Sequence, residues 1–358
     1  MDLRHLIDFY DMSKNDWNNL YDLACDIKKA PEKYSGECKG KIMATLFYEP
    51  STRTQLSFQS AMLKLGGNVI GFADPNSSSV SKGESLRDTI KIVSGYSDIL
   101  VMRNPKEGAA YAASLYSPIP LVNAGDGSHL HPTQTMADMF TIKNELDRYE
   151  NLTIGLSGDL LNGRTVHSLI KAFSRYNNNK FYFISTNKLR MPSYVIDMIK
   201  STDNKYFEVE TIAECISELD ILYMTRIQRE RFDSEEEYFE EKNSGGHILK
   251  KEHMAKAKSD MIVLHPLPKV DEIEPEIDDD SRAMYFRQAE NGVYVRMALI
   301  LMLLEANRER FTDLKAYKIA AERCCSNANC ITCDEKYLPE LVTNVNNMKI
   351  CAYCEHII

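Results

Sequence analysis

Over its first ~300 residues the chain alternates short apolar runs with stretches of helical periodicity, and this alternation constrains the fold more than any other feature. Strand-like runs at 42–47, 68–72, 98–102 and 121–123 are separated by helical patterns at 52–65, 85–96 and 105–115. A long helical pattern at 132–149 follows, and the series then restarts. It continues with strands at 153–157, 181–185, 221–224 and 261–264, helices at 165–175, 193–200 and 211–219, and a last helix at 291–308. Strand–helix–strand order of this kind predicts parallel sheets with crossover helices. The expectation is therefore an α/β chain with two doubly wound halves, 1–133 and 134–310. The acidic stretch 234–246, ending in Gly-Gly, reads as a mobile loop.

The last part of the chain obeys a different rule. Six of the nine cysteines fall in the final 35 residues. The pair Cys325-x4-Cys330 followed by Cys351-x2-Cys354 has the two-plus-two arrangement of a structural zinc site. Cys324 and Cys333 are rival ligands. Four thiolates would close the metal's shell and leave no open position for catalysis. So short a segment has little core of its own, so a bound metal would supply much of its folding free energy. Residues 311–358 are thus expected to form a small third domain of the four-cysteine zinc type.

The net charge of −9 argues against general affinity for nucleic acid or anionic membrane. Residues 318–358 carry four Lys/Arg against five Asp/Glu, which argues the same for the tail. No apolar run approaches membrane-spanning length, and the N-terminus lacks a signal-peptide pattern, so a cytoplasmic location is expected.

Several local patterns carry chemistry. Phe47 to Gln55 follows a strand and opens a helix. Its first amides have no helical partner and form an anion site, to which Ser51, Thr52 and Thr54 add hydroxyls and Arg53 a planar fork. Met102-Arg103, His131-Pro132-Thr133-Gln134, Gly158-Asp159 through Arg164, Met224 through Gln228 and His265-Pro266-Leu267-Pro268 stand at or near the ends of other expected strands. A polar loop, 77–84, holds Ser78 and Lys82.

Taken together, these motifs resemble those of the transcarbamoylase family over about residues 40–305. The resemblance implies carbamoyl transfer without a covalent intermediate, no metal in the catalytic site, and a homotrimer with shared active sites. By the same resemblance, Ser51, Thr52, Arg53, Thr54, Ser78, Lys82, Arg103, His131 and Gln134 bind carbamoyl phosphate, with Ser78 and Lys82 reaching a neighbouring subunit's site. Thr54, Arg103 and His131 would surround the reacting carbonyl oxygen, and Gln134 would orient the amide. Arg53, Thr54, Lys82, Arg103, His131 and Gln134 form the implied catalytic set.

Lys82, Arg164, Arg226, Gln228, Leu267 and Pro268 match positions that bind the amino-acid substrate. Glu49, Arg164 and Arg231 match residues that pair on closure. His265-Pro266-Leu267-Pro268 followed by Lys269 is similar to the aspartate type, whereas the ornithine type carries His-Cys-Leu-Pro. Five cations (Arg53, Lys82, Arg103, Arg164 and Arg226) would face about four negative charges, from a phosphate dianion and two carboxylates. The implied reaction is carbamoyl phosphate plus L-aspartate to N-carbamoyl-L-aspartate and phosphate, an early step of pyrimidine synthesis.

Gln55 and Ser81 depart from the family pattern, which has arginine and lysine there. A catalytically weak scaffold or regulatory paralogue is therefore an alternative expectation, and an ornithine-type enzyme another. The tail, with Cys325-x-Asn327-x-Asn329-Cys330 and Cys351-x-Tyr353-Cys354-Glu355, resembles the zinc domain of the separate regulatory chain of bacterial aspartate transcarbamoylases. Only about fifteen residues separate it from the last catalytic helix, too few for that chain's nucleotide-binding domain. The expectation is a tail that braces the catalytic domain or a subunit boundary, without a nucleotide effector site.

Overall fold

The computed structural model describes residues 3–75, 79–227, 229, 232, 234–243, 246, 248–306, 325–345 and 348–358. The chain forms two compact units: Met1–Thr133 together with Gly292–Ile358, and Gln134–Asn291.

The first unit is built on a four-stranded parallel sheet: β1 (Ile42–Phe47), β2 (Asn68–Phe72), β3 (Ile99–Asn104) and β4 (Leu121–Asp126), in the order β2-β1-β3-β4. β1 is apolar along almost its whole length and buried from Met43 onward, as a strand covered on both faces must be. Helices α1 (Lys14–Lys29), α2 (Thr52–Lys64), α3 (Leu86–Tyr96) and α4 (Ala109–Ser114) accompany it. α1 precedes the region where the alternation is legible. Ser13 caps it, accepting from the Asp16 amide at 3.0 Å, and Trp17, Leu20, Ala24 and Ile27 give it a buried face. The free side of β4 is covered by the N-terminal segment. The Leu6 amide donates to the Leu121 carbonyl, and the Leu6 carbonyl accepts from the Asn123 amide, each at 2.8 Å.

The second unit holds a five-stranded parallel sheet: β5 (Thr153–Ser157), β6 (Lys180–Ile184), β7 (Lys205–Val209), β8 (Ile221–Met224) and β9 (Ile262–Leu264), in the order β7-β6-β5-β8-β9. Its helices are α5 (Pro132–Leu146), α6 (Arg164–Phe173), α7 (Ser193–Lys200), α8 (Glu235–Asn243), α9 (Lys251–Met254) and the start of α10 (Tyr285–Ala306). The divisions between units fall within α5 and α10, so residues 292–306 group with the first unit rather than with 134–291.

Three expectations need correction here. β7 was not expected: it is an edge strand with two charged residues in five, and it lacks the apolar run of a central strand. The helix expected at 211–219 is instead two short 3-10 turns, Ile212–Glu214 and Ile216–Glu218. The first closes on a Thr211–Glu214 capping box, and Cys215 leaves helical geometry between them. Residues 235–243 of the expected mobile loop form α8, whose first turn carries Glu235, Glu236 and Glu237 against the positive helix end.

The tail forms a lobe from α11 (Ile331–Asp334) and an antiparallel hairpin, β10 (Val342–Val345) with β11 (Met348–Cys351). Its apolar side joins the first unit's core, where Ile331, Leu338, Leu341 and Tyr353 share one cluster with the alanines of α4. Among the described residues, no helix is long and apolar enough to cross a membrane.

Candidate active site

In a parallel sheet the loops beyond the strands' carboxyl ends lie on one edge, where ligands bind in folds of this class. In the first unit these ends deliver the sequence-singled residues. β1 runs into Ser51, the residue before α2, which makes no side-chain cap bond to the helix. Thr52, Arg53 and Thr54 occupy the helix's first turn, with Thr54 buried. β3 ends on Arg103 and Asn104, and β4 runs out at Gly125 and Asp126. Arg103 is held by an ion pair, Nη2 to Glu49 Oε1 at 2.7 Å, with its side chain mostly buried. The Nε–H of Arg103 is buried and makes no hydrogen bond. Partial burial and then the Arg103 charge lower the pKa of Arg53, so the two guanidiniums feel one another.

Gly125 makes the convergence tight. Its φ is +122°, and a Cβ placed there would lie 3.1 Å from Arg103 Nη1 and 3.5 Å from His131 Cδ2. Only glycine suits that backbone and that gap. His131 itself is buried. Its loop is shaped by Asp126, whose carboxylate accepts from the Leu130 amide and Asn123 Nδ2 at 3.0 Å and from the Gly108 amide at 2.9 Å. His129 Nδ1 lies 3.1 Å from the same carboxylate. Burial alone would push the His129 pKa down, but the Asp126 charge and hydrogen bond, with help from Glu355, hold it up to about 10. Lys82 is exposed at the end of the 3-10 turn Ser79–Lys82. Ser78 lies outside the described residues.

In the second unit the same edge logic applies. β5, β8 and β9 are adjacent, and past their ends come Arg164 at the start of α6, Arg226, and Leu267-Pro268. Gly158, at φ +117°, lets the first two loops meet: a Cβ there would sit 2.1 Å from the Thr225 carbonyl oxygen. Arg226 lines a small cavity with Tyr238, Lys242, Asp271 and Glu272. The Leu267-Pro268 bond is cis, and Leu267 has φ +56°. Gln228 and Arg231 lie outside the described residues.

A buried side-chain network supports these loops. Asp138, fully buried on α5, accepts from Gln134 Nε2 at 2.7 Å, Gln288 Nε2 at 2.5 Å and the Tyr223 hydroxyl at 2.9 Å. Gln288 Oε1 in turn accepts from the His265 amide at 3.0 Å. His265 Nδ1 accepts from the Leu267 amide, and its Nε2 meets Glu272 Oε1, both at 2.7 Å. Burial works to raise the Glu272 pKa, but the His265 hydrogen bond and charge and the backbone donors outweigh it and leave it lowered.

Residues 4–144 match the family described as aspartate/ornithine carbamoyltransferase, carbamoyl-P binding domain, and residues 150–303 match its Asp/Orn binding domain. The chain belongs to the aspartate/ornithine carbamoyltransferase family. Within that family, the aspartate carbamoyltransferase catalytic subunit of Clostridium botulinum (strain Eklund 17B / Type B) is 58% identical over 302 residues, covering 84% of this chain and 98% of the relative. The catalytic subunit of M. jannaschii aspartate transcarbamoylase is similar in structure, with TM-score 0.81 and 45% identity over 86% of this chain and 99% of that one. The aspartate transcarbamoylase of Trypanosoma cruzi, solved with carbamoyl phosphate, has TM-score 0.78 and 36% identity over 83% and 95% of the two chains.

The carbamoyltransferase family match stops at residue 303, short of the cysteine lobe. There Cys325, Cys330, Cys351 and Cys354 bring their sulfurs within 4.8 Å of one another. Cys325 and Cys354 are 3.5 Å apart, Cys330 and Cys351 3.9 Å. Cys333 instead points its thiol at the Asn327 carbonyl, 3.2 Å away, and Cys324 lies outside the described residues.

Reading the sequence alone missed the residues that hold the carbamoyltransferase loops rather than line them. Asp138 had a usable signal: an acid one helical turn after Gln134, set between the apolar Met136-Ala137 and Met139-Phe140. Gln288, Glu272 and Asp126 had none, because their partners are distant or set by loop geometry.

Proposed function

We propose that this chain catalyses transfer of the carbamoyl group of carbamoyl phosphate to the amine of L-aspartate, giving N-carbamoyl-L-aspartate and phosphate, in pyrimidine synthesis. The observation that carries it is the meeting of Arg53, Arg103 and His131 at the ends of β1, β3 and β4, on a helix start with free amides. The first unit binds carbamoyl phosphate and the second, Gln134–Asn291, binds aspartate. The amides and hydroxyls of Ser51 to Thr54, with Arg53 and Arg103, neutralise the phosphate. Thr54, Arg103 and His131 donate to the carbonyl oxygen as it gains charge, a contribution of about 3–4 kcal/mol per donor. Gln134, its amide nitrogen held by Asp138, turns its carbonyl toward the carbamoyl amide. Arg164, Arg226 and Gln228 bind the two carboxylates, and the carbonyls of Leu267 and Pro268 accept from the amine. The neutral amine attacks the carbonyl carbon, the tetrahedral intermediate collapses, and the C–O bond to phosphate breaks. The amine's proton leaves to phosphate oxygen or solvent.

Ser78 and Lys82 complete the site of a neighbouring subunit in a homotrimer, consistent with the exposure of Lys82. The four thiolates hold a structural zinc ion in a domain like that of the regulatory chain. Four cysteine sulfurs within 4.8 Å of one another, two pairs of them 3.5 and 3.9 Å apart, are a donor set that would hold zinc. The zinc supplies folding free energy to the lobe, not chemistry to the reaction. Steady-state production of carbamoyl-aspartate by the purified chain tests the function. Turnover with ornithine in place of aspartate, or no turnover with both substrates saturating, would overturn it.

A further inference from the structure

The lobe is fastened to the rest of the first unit at two places: one at the start of α3, just past the loop that carries Lys82, the other at 105–108, which bonds to the carboxylate shaping the loop before His131. At the first, Glu335 Oε1 accepts from the Leu86 amide and the Tyr337 hydroxyl accepts from the Arg87 amide, both at 2.8 Å. These are the first two amides of α3, which have no partner within the helix. The Arg87 guanidinium also lies 4.4 Å from the centre of the Tyr337 ring. The tail thus caps the helix that begins four residues after Lys82.

The second fastening is at 105–108. The Glu107 amide donates to the Asn329 carbonyl at 3.0 Å, and the Glu107 carbonyl accepts from the Ile331 amide at 2.9 Å. Asn327 Nδ2 donates to Glu107 Oε2 at 2.7 Å. Gly108, at φ +78°, lies so close to Tyr353 that a Cβ there would sit 2.5 Å from its backbone. The Gly108 amide then donates to Asp126, the carboxylate that shapes the loop leading to His131. Glu355 adds a third strand to this connection, 3.5 Å from His129 Nε2. The second fastening uses residues next to the cysteines: Asn327 and Asn329 lie between Cys325 and Cys330, and Tyr353 and Glu355 flank Cys354; Glu335 and Tyr337, which make the first, follow Cys330 by five and seven residues in the same lobe.

We propose that the four-cysteine lobe, docked on its own chain, is a control element for carbamoyl-phosphate binding: it fixes the roots of the 79–84 and 126–131 loops, and metal loading of its thiolates sets how firmly both are held. Glu335, Asn327 and Asp126 are positioning residues in this scheme. The proposal rests on the function given above, because that reading makes Lys82 and His131 substrate-binding groups. Without metal the four thiols no longer have a common ligand, and the segments carrying Asn327, Asn329 and Tyr353 lose their fixed spacing.

The test uses the full chain loaded with zinc, its metal content measured directly, alongside Glu335→Ala and Asn327→Ala. Neither residue is a cysteine or a substrate-binding group. Expected are unchanged zinc content and hydrogen exchange about tenfold faster, at 84–90 in Glu335→Ala and at 126–131 in Asn327→Ala. The KM for carbamoyl phosphate should rise about threefold to tenfold while kcat and the KM for aspartate stay within about twofold. Chelation under reducing conditions should speed exchange at both loops, and returning zinc should reverse it. Exchange at both loops that ignores chelation and both substitutions would overturn the proposal, as would a loss confined to kcat. If the loaded chain turns over neither amino acid, the functional reading fails, and the exchange measurements still decide whether the lobe holds the loops.

Discussion

Arg103 and His131 converge because Gly125 has no side chain, whereas the loop carrying Leu267 and Pro268 is held by a relay of buried side chains from Asp138 through Gln288 and His265 to Glu272. The first unit therefore positions its groups with backbone devices: a left-handed glycine, a helix start and a carboxylate that collects amides. The second positions them with a chain of buried side chains that bond to one another and to the His265 and Leu267 amides. Backbone devices fail abruptly when one Cβ is added. Side-chain relays fail in proportion to the number of donors left without an acceptor.

The sharpest way to break this comparison is Arg103→Ala. It removes a donor to both phosphate and carbonyl and leaves Glu49 without its partner, so kcat should fall about 100- to 1,000-fold with the fold intact. A loss below about tenfold in steady-state assays would remove Arg103 from the reaction centre. Next is Asp138→Ala, which strands three donors, those of Gln288 and Tyr223 buried and that of Gln134 partly so. Denaturant titration should register a loss of about 3 kcal/mol, and both KM values should rise: that for carbamoyl phosphate through Gln134, and that for aspartate through the Gln288–His265 arm. Gly125→Ala should cost about 1–3 kcal/mol through its positive φ, with the kinetic damage falling on carbamoyl phosphate alone. If Gly125→Ala raises the KM for aspartate as much as Asp138→Ala does, the division of labour between the units is wrong.

The smallest effect is the pH dependence of Glu272→Gln. Glu272 has a folded pKa below its unfolded value of about 4.3, so it contributes its full stability above that value. The contribution is lost as pH falls toward the folded pKa. The stability gap between wild type and variant should be widest near neutrality and shrink on acidification; a gap that grows instead would mean the carboxylate is not the favoured form.

The central strands were legible because burial on both faces writes itself as continuous apolar runs, as in Ile42–Phe47 and Ile221–Met224. The edge strand Lys205–Val209 was not, since its exposed positions are filled by charged and aromatic residues without a pattern. In the candidate site, the residues at strand ends were recognisable as motifs. What holds them was not: Asp126 gathers partners from four places on the chain, and Asp138 meets Gln288 150 positions away. The cysteine spacing announced a cluster, and the sulfurs gather as that spacing requires. Nothing in the spacing announced that Glu335 and Tyr337 would cap α3.

Covalent linkage gives the lobe a property that a separate chain of the same shape would lack. Eighteen residues join Ala306 to Cys325 in one covalent chain, so the lobe's docking is an intramolecular event. Dilution cannot strip the lobe from its seat, and its stoichiometry is fixed at one for every catalytic body.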